Sequence, residues 1–316
     1  MSTDVPQLPP RPPDGHKGTF GTVCVLGGRA DEQRVMVGGP ALAALGALRS
    51  GCGLVVLAVP TPIMAAALVI APSATGLALP VDDAGALKPS DTAQLIDRHI
   101  NSFRCLAMGP GLGASVPQQQ IVVRLIAQDQ TPLVIDADAI NALASLREFH
   151  RDFRAQAVLT PHPGEFARIA ETMGIKSDLT SSVKRQAAAR ELAQRLGCVV
   201  VLKGHRTVIS DGMDAFENQT GNVALATGGT GDVLTGIIGG FVSQFFKSAL
   251  GAGSRQVSAG HQGGMNLLEC ARLAVHVHGL AADRWAESHG VAGMLATDLL
   301  DEIPGALASL RGSSDL

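Results

Sequence analysis

The chain has 316 residues, 46% of them hydrophobic and 17% charged, a balance that supports a packed core and confines disorder to local segments. At roughly 100–200 residues per domain, this length accommodates one large domain or two small ones. Lys and Arg number 25 against 28 Asp and Glu, a net charge of −3, which excludes a global basic field for nucleic acid or acidic lipid and leaves room only for a local anion site.

Residues 1–15 are rich in proline and lack the charged start and apolar run of a secretory signal, so they are read as a flexible arm. Runs at 22–26, 54–59, 105–108, 132–135, 157–159 and 199–202 are rich in Val, Ile and Leu and bounded by Gly, Pro or Asp. Such continuous apolar runs mark strands covered on both faces. Between them, 41–49, 92–100, 119–127, 139–146 and 181–196 repeat apolar residues at helical spacings. The alternation predicts one doubly wound α/β domain over 16–308, with a mostly parallel sheet and ligands at the carboxyl ends of the strands.

The most apolar stretch, 54–71, is interrupted by Pro60 and Pro62, and no run of about 20 apolar residues occurs, so no membrane span is expected. Cys24, Cys52, Cys105, Cys198 and Cys270 are odd in number and include no C-x-x-C pair. This predicts neither a disulfide framework nor a zinc site, and places the chain in a reducing cytoplasm. The run 251–264, rich in Gly, Ser, His and Gln, is predicted to be a mobile loop. Helices are predicted at 267–288 and 296–303, with a frayed tail over 309–316.

Several motifs fall at predicted strand ends. Gly109-Pro110-Gly111-Leu112-Gly113 offers a surface without side chains against which a flat ligand can lie. Asp136-Ala137-Asp138 is either a capped helix start or a functional carboxylate pair. In Thr160-Pro161-His162-Pro163-Gly164-Glu165, two prolines stiffen a turn that places His162 to meet a ligand. Glu165 can either satisfy the following helix or hold a hydrated magnesium ion. Lys203-Gly204-His205-Arg206-Thr207 follows a buried strand and reads as a phosphate-facing turn or as a solvated hairpin tip.

The sharpest segment is Thr227-Gly228-Gly229-Thr230-Gly231-Asp232, which runs directly into an apolar helix. Glycines at a helix start let backbone N–H groups converge on an anion, aided by the helix dipole. Asp232 is then either an N-cap or a base that takes a hydroxyl proton in phosphoryl transfer. No G-x-x-x-x-G-K-[ST] sequence occurs, so this is not a P-loop, and 15–21 lacks the context of a dinucleotide fingerprint. His276 and His278, two apart, cannot share a helix face as metal ligands.

Taken in order from about residue 16 to 307, these segments resemble the ADP- or ATP-dependent NAD(P)H-hydrate dehydratases of the ribokinase-like superfamily. The resemblance rests on His16-Lys17-Gly18-Thr19-Phe20-Gly21, on 47–54, 109–113, 160–165 and 203–207, and on Asn218-Gln219-Thr220-Gly221-Asn222 leading to 228–240. It implies a three-layer α/β/α fold and removal of water from the S form of NADHX or NADPHX, with ADP converted to AMP and phosphate. ATP and magnesium are the alternative nucleotide and the expected ion. It further implies that Lys203, Gly204, His205, Arg206, Thr207, Gly229, Thr230 and Gly231 hold the nucleotide. Gly39, Gly111, His162 and Asp232 would face the hydrated cofactor, with Asp232 as the base and Glu165 reaching magnesium through water.

A homo-oligomer, a tetramer, is implied, with no nucleic-acid or membrane partner. Many relatives carry an epimerase domain ahead of the matching region, where this sequence has about 15 residues, so a separate epimerase is expected to supply the S form. Two competing readings are a ribokinase-like kinase of a hydroxymethylpyrimidine or thiazole alcohol, and a nucleotide sensor that binds without turnover.

Overall fold

The computed structural model describes residues 5–31, 34–176, 178–247 and 264–311. In chain order the elements begin with β1 (Thr22–Leu26), a small hairpin of β2 (Arg29–Ala30) and β3 (Val35–Met36), α1 (Gly38–Arg49), β4 (Leu54–Pro60), α2 (Met64–Ile70), β5 (Thr75–Leu79) and α3 (Pro89–His99). Next come β6 (Cys105–Met108), α4 (Val116–Ile126), β7 (Leu133–Ile135), α5 (Ala137–Ala144), β8 (Ala157–Leu159), α6 (Pro163–Thr172), α7 (Ser182–Leu196) and β9 (Val199–Leu202). The chain closes with β10 (Val208–Ser210), β11 (Ala215–Glu217), α8 (Thr230–Phe245), α9 (Leu267–His289) and α10 (Ala296–Leu310).

One nine-stranded sheet has the order β11-β10-β9-β8-β7-β6-β1-β4-β5. Its strands pair in parallel from β5 through β9, and only β10 and β11 add antiparallel. Period-two alternation sends each strand's residues to two cores. Val23 and Val25 join the core under α1, α8, α9 and α10, whereas Cys24 and Leu26 join the one under α3 to α7. Layers of helices on both faces make the fold a three-layer α/β/α sandwich, as expected. All five cysteines are free and buried.

Every predicted strand is present. The sequence reading missed α2, the β2–β3 hairpin, β5 and β11: β5, for one, is an edge strand, Thr-Gly-Leu-Ala-Leu, mostly exposed and poor in the β-branched residues that mark buried strands. The expected loose arm differs over 5–15, where Val5 and Leu8 pack on the core. Arg11 stacks on Phe20 at 3.6 Å and donates to the Gly51 carbonyl at 2.8 Å. At the other end α10 passes through Pro304 to Leu310 rather than stopping at Ile303. The buried stripe Leu299, Leu300, Ile303 and Ala306 holds it, with Leu307 and Leu310 packed alongside. Most of the predicted 251–264 loop (251–263) and the last five residues of the tail lie outside the described residues. Among the described residues no helix is long and apolar enough to cross a membrane.

Helix α8 carries the candidate phosphate cradle, and from Val233 to Phe245 every residue is buried. Its closest neighbour is α1, approached through small residues. A Cβ on Gly236 would lie 2.0 Å from the Ala43 carbonyl oxygen, and one on Gly46 would lie 2.6 Å from that of Val233. Gly236→Ala is therefore expected to force the helices apart and cost about 1–3 kcal/mol or more. In urea unfolding the midpoint should fall with an unchanged slope, and a midpoint equal to the parent's would show that α1 yields freely.

Candidate active site

Because β1, β6, β7, β8 and β9 run parallel, their carboxyl ends deliver the loops at 27–28, 109–113, 136, 160–165 and 203–207 to one edge of the sheet. The N-terminus of α8 rises into the same edge. On one side of it the backbones crowd together. The Gly28 N–H donates to the Pro110 carbonyl at 2.9 Å, and Gly109, at φ +123°, leaves no room for a side chain against the Asp136 carbonyl. A Cβ on Gly39 would sit 3.3 Å from Pro110 and 3.5 Å from Asp232 Oδ1, and one on Gly111 would sit 3.0 Å from Met36 Cβ. Gly39 thus packs between Pro110 and the Asp232 carboxylate, and Gly111 packs on Met36.

On the other side lies a cavity of about 410 Å³, lined by the 203–207 turn, Asn218, Thr220 to Val223, Thr230, Gly231, His278 and Gly279. The turn joins β9 to antiparallel β10, so the hairpin reading is correct as geometry, and it also faces the cavity. Arg185 of α7 holds it from below, donating to the carbonyls of Leu202, Lys203, His205 and Arg206. The guanidinium of Arg206 turns to Glu217 at 3.2 Å. The loop opposite is tied to α9: Asp283 accepts from the Gly221 N–H at 2.8 Å and from Asn222 Nδ2 at 2.9 Å. Arg185 and Asp283 were not singled out from the sequence, because each is an ordinary helix-surface charge until the loop it holds is placed.

The cradle itself begins at Gly229, in the left-handed region at φ +93°, and its leading N–H groups have no intrahelical acceptors, as at any helix start. Thr230 fixes the entry by donating its hydroxyl to the carbonyls of Leu225 and Thr227, both at 2.9 Å. Buried His278 contacts the Thr230 carbonyl through Nε2 at 2.9 Å. Burial pulls its pKa down to about 4, so the ring is neutral near pH 7 and Nε2 carries its proton. The N-cap is Gly229, and Asp232 occupies the third helical position beyond it. The cap reading of this residue therefore does not hold.

Lys203 links the two sides. Its Nζ lies 3.6 Å from the position a Cβ on Gly231 would take, 2.7 Å from Asp136 Oδ1 and 3.8 Å from Glu165 Oε2. Burial alone would lower its pKa, but Asp136 and Glu165 outweigh that and hold the ammonium above its ordinary range. Asp136 is buried and also accepts from Thr160 and Thr235, each at 2.7 Å. It stands at the N-cap of α5 without capping it, so the cap reading does not describe it. Its neighbour Asp138 accepts from the Gly113 N–H at 2.8 Å.

Burial, and then the charge of Asp136, push the pKa of Asp232 up to about 7, against the opposing pull of Lys203. A base so poised suits proton transfer near neutrality.

His162 caps α6, its Nδ1 accepting from the N–H groups of Gly164 and Glu165 while Glu165 Oε2 accepts from the His162 N–H. Burial raises the pKa of Glu165, with Lys203 opposing. Glu165 thus serves the helix start through Oε2, and its Oε1 lies 3.3 Å from His162 Nε2. Among the described residues no three His, Cys, Asp or Glu come together to hold a metal ion.

A glycine-led helix start, a lysine beside it and a carboxylate with a pKa raised to about 7, at the carboxyl edge of a parallel sheet, form a candidate site for phosphoryl transfer. The family profile described as NAD(P)H-hydrate dehydratase matches residues 23–305. The ADP-dependent (S)-NAD(P)H-hydrate dehydratase of Bacillus subtilis is 35% identical over 94% of this chain and 92% of its own length. The crystal structure of the ADP/ATP-dependent dehydratase from Bacillus subtilis, co-crystallised with ATP and Mg2+, superposes with a TM-score of 0.73 at 30% identity, covering 98% of this chain and 100% of that one. The chain belongs to the NAD(P)H-hydrate dehydratase family. It also matches the bifunctional NAD(P)H-hydrate repair enzyme of Moorella thermoacetica, 37% identical over 96% of this chain, and spans about half the length of that relative. The hydroxyethylthiazole kinase of Pyrococcus horikoshii, 13% identical at a TM-score of 0.57, shares the fold.

Proposed function

We propose that the chain dehydrates the S form of hydrated NADH or NADPH at the expense of ADP, yielding AMP and phosphate. The observation that carries the reading is the meeting of Asp232 and Lys203 at Gly231, with glycine backbone on the carboxylate's side and a cavity on the ammonium's side. The names of the Bacillus subtilis and Neisseria meningitidis relatives, both ADP-dependent (S)-NAD(P)H-hydrate dehydratases, support ADP as the nucleotide.

In this reading the 203–207 turn and the amides of Gly229 to Gly231 hold the nucleotide, with its terminal phosphoryl between Lys203 and the helix start. The hydrated nicotinamide lies on Gly39 and Gly111, with its C6 hydroxyl at Asp232 and His162 at the rim. Asp232 takes the hydroxyl proton as the oxygen attacks phosphorus in line, and the phosphoryl leaves AMP. The Gly229 to Gly231 amides hold the charge on the equatorial oxygens. The ring nitrogen then pushes out the C6 phosphate, loss of a C5 proton restores the dihydropyridine, and water has left as phosphate. Magnesium riding on the phosphates would neutralise charge during transfer. An epimerase acting on the R form would extend repair to both hydrates, and a homotetramer is the expected assembly.

Incubating the purified protein with S-NADHX, magnesium and ADP should restore the reduced-nicotinamide absorbance with one phosphate released per turnover. No recovery with ADP or ATP would overturn the assignment, and a stable phosphorylated product would move it to the kinases. The rate should also fall as pH drops through about 7, because protonation of Asp232 removes the base. A rate flat from pH 5 to 8 would take Asp232 out of that role.

A further inference from the structure

We propose that Asp136 is a positioning residue of this site: gripped by Thr160, Thr235 and Lys203, it fixes the lysine ammonium beside Gly231 and keeps the cradle in register with the strand ends. The inference rests on the phosphoryl-transfer reading above and adds to it a residue that makes no contact with the reacting atoms.

The carboxylate is shared by four elements. It stands between β7 and α5, Thr160 follows β8, Lys203 follows β9, and Thr235 lies one turn along α8 from Asp232. Oδ1 accepts from Thr160 Oγ1 and Lys203 Nζ, and Oδ2 accepts from Thr235 Oγ1, all at 2.7 Å. Asp136 is 1% exposed, and a buried carboxylate is retained only when charge and hydrogen bonds compensate it. All three donors meet that need, and together they leave little freedom. A lysine side chain has four rotatable bonds and on its own is a poorly aimed point charge. Tied to a fixed carboxylate, its ammonium is presented to the cradle before any phosphate arrives, the preorganisation that electrostatic catalysis requires.

Asp136 has a second effect through its charge. The charged groups facing Asp232 are Asp136 and Asp138 at the start of α5, Glu165 at the start of α6 and Lys203 after β9. Among them Asp136 is the strongest of those that favour the protonated form. One residue therefore acts on both the cation and the base.

Asp136→Asn keeps the shape and an acceptor for Lys203 while removing the charge, and Thr235→Val removes one grip while keeping the charge. In Asp136→Asn we expect kcat to fall about 10–100-fold with the nucleotide KM within about threefold, because the site loses a negative charge. The acidic limb of the pH–rate profile should move down by about one unit. Thr235→Val should lower kcat less and leave the limb in place. A kcat within twofold of the parent in Asp136→Asn would overturn the proposal. So would a loss that tracks a fall in Tm with an unmoved limb, which is the mark of a merely structural residue.

If the parent itself does not turn over the hydrate, the dehydratase reading fails. Asp136 is then read by NMR titration of the Asp232 carboxyl in 13C-labelled protein, assigned with Asp232→Asn. A lower midpoint in Asp136→Asn supports its influence on the base, and an unmoved midpoint overturns it.

Discussion

Asp232→Asn should lower kcat by at least about 10³-fold while ADP binds within a few-fold of the parent, as measured by single-turnover kinetics and calorimetry. The asparagine keeps the volume and leaves the cradle amides, the Lys203 turn and the cavity intact, but it cannot take a proton. Loss confined to kcat is the pattern of an interaction made only on the way to the transition state. The same variant separates chemistry from stability. In the folded protein Asp232 binds its proton up to about pH 7, against an ordinary value of 3.8. Between these values the folded state holds more protons than the unfolded one, so the parent loses stability as pH rises from about 4 to 7. Asp232→Asn has no such loss and should exceed the parent's Tm at pH 8 by more than at pH 5. A variant that is both inactive and less stable at pH 8 would argue that the carboxylate serves the fold.

The opposite trade is expected at Lys203. Lys203→Met strands Asp136, which is buried, and Glu165, which is nearly so, without their counter-charge. Removing one partner of a buried pair typically costs about 3–5 kcal/mol. Glu165, whose pKa burial already raises against the pull of Lys203, escapes part of that cost by taking up a proton once that pull is gone. The destabilisation should therefore be smaller at pH 5 and grow as pH rises to 8, which chemical denaturation at the two pH values would show. Nucleotide affinity should fall together with stability, unlike in Asp232→Asn. A variant as stable as the parent at pH 8 would mean that Thr160 and Thr235 satisfy Asp136 by themselves.

Much of this was legible in the sequence, for identifiable reasons. Strands covered on both faces are written as unbroken apolar runs, so 22–26, 105–108, 157–159 and 199–202 were bounded without error. Motifs at the ends of parallel strands must share one edge, so the ordered glycine segments pointed to a single site. Asp136 could not be read in the same way. Its three partners, Thr160, Lys203 and Thr235, lie 24 to 99 residues away, and an aspartate before a helix looks like a cap until they are placed. Glu165 shows the converse, since the helix start it was read as able to satisfy is closed by a reciprocal capping box with His162. The ends of the chain were misread because composition was weighed without packing. Proline content suggested a loose arm where Arg11 reaches across to Gln244 at 3.1 Å, and the helix read as ending at 303 runs on because the one N–H missing at Pro304 is outweighed by a buried stripe.

The burial of α8 limits which parts of the site can move. A helix apolar on every side behaves like an anvil: shifting it would open both its seam with α1 and its seat on the sheet, so its backbone amides should be among the last to exchange with deuterated solvent. Any tightening around bound ligands must then come from the periphery, where the β2–β3 ribbon and the 203–207 turn overhang a stationary centre. Swapping those borders between relatives should retune which ligands are accepted without disturbing the start of α8.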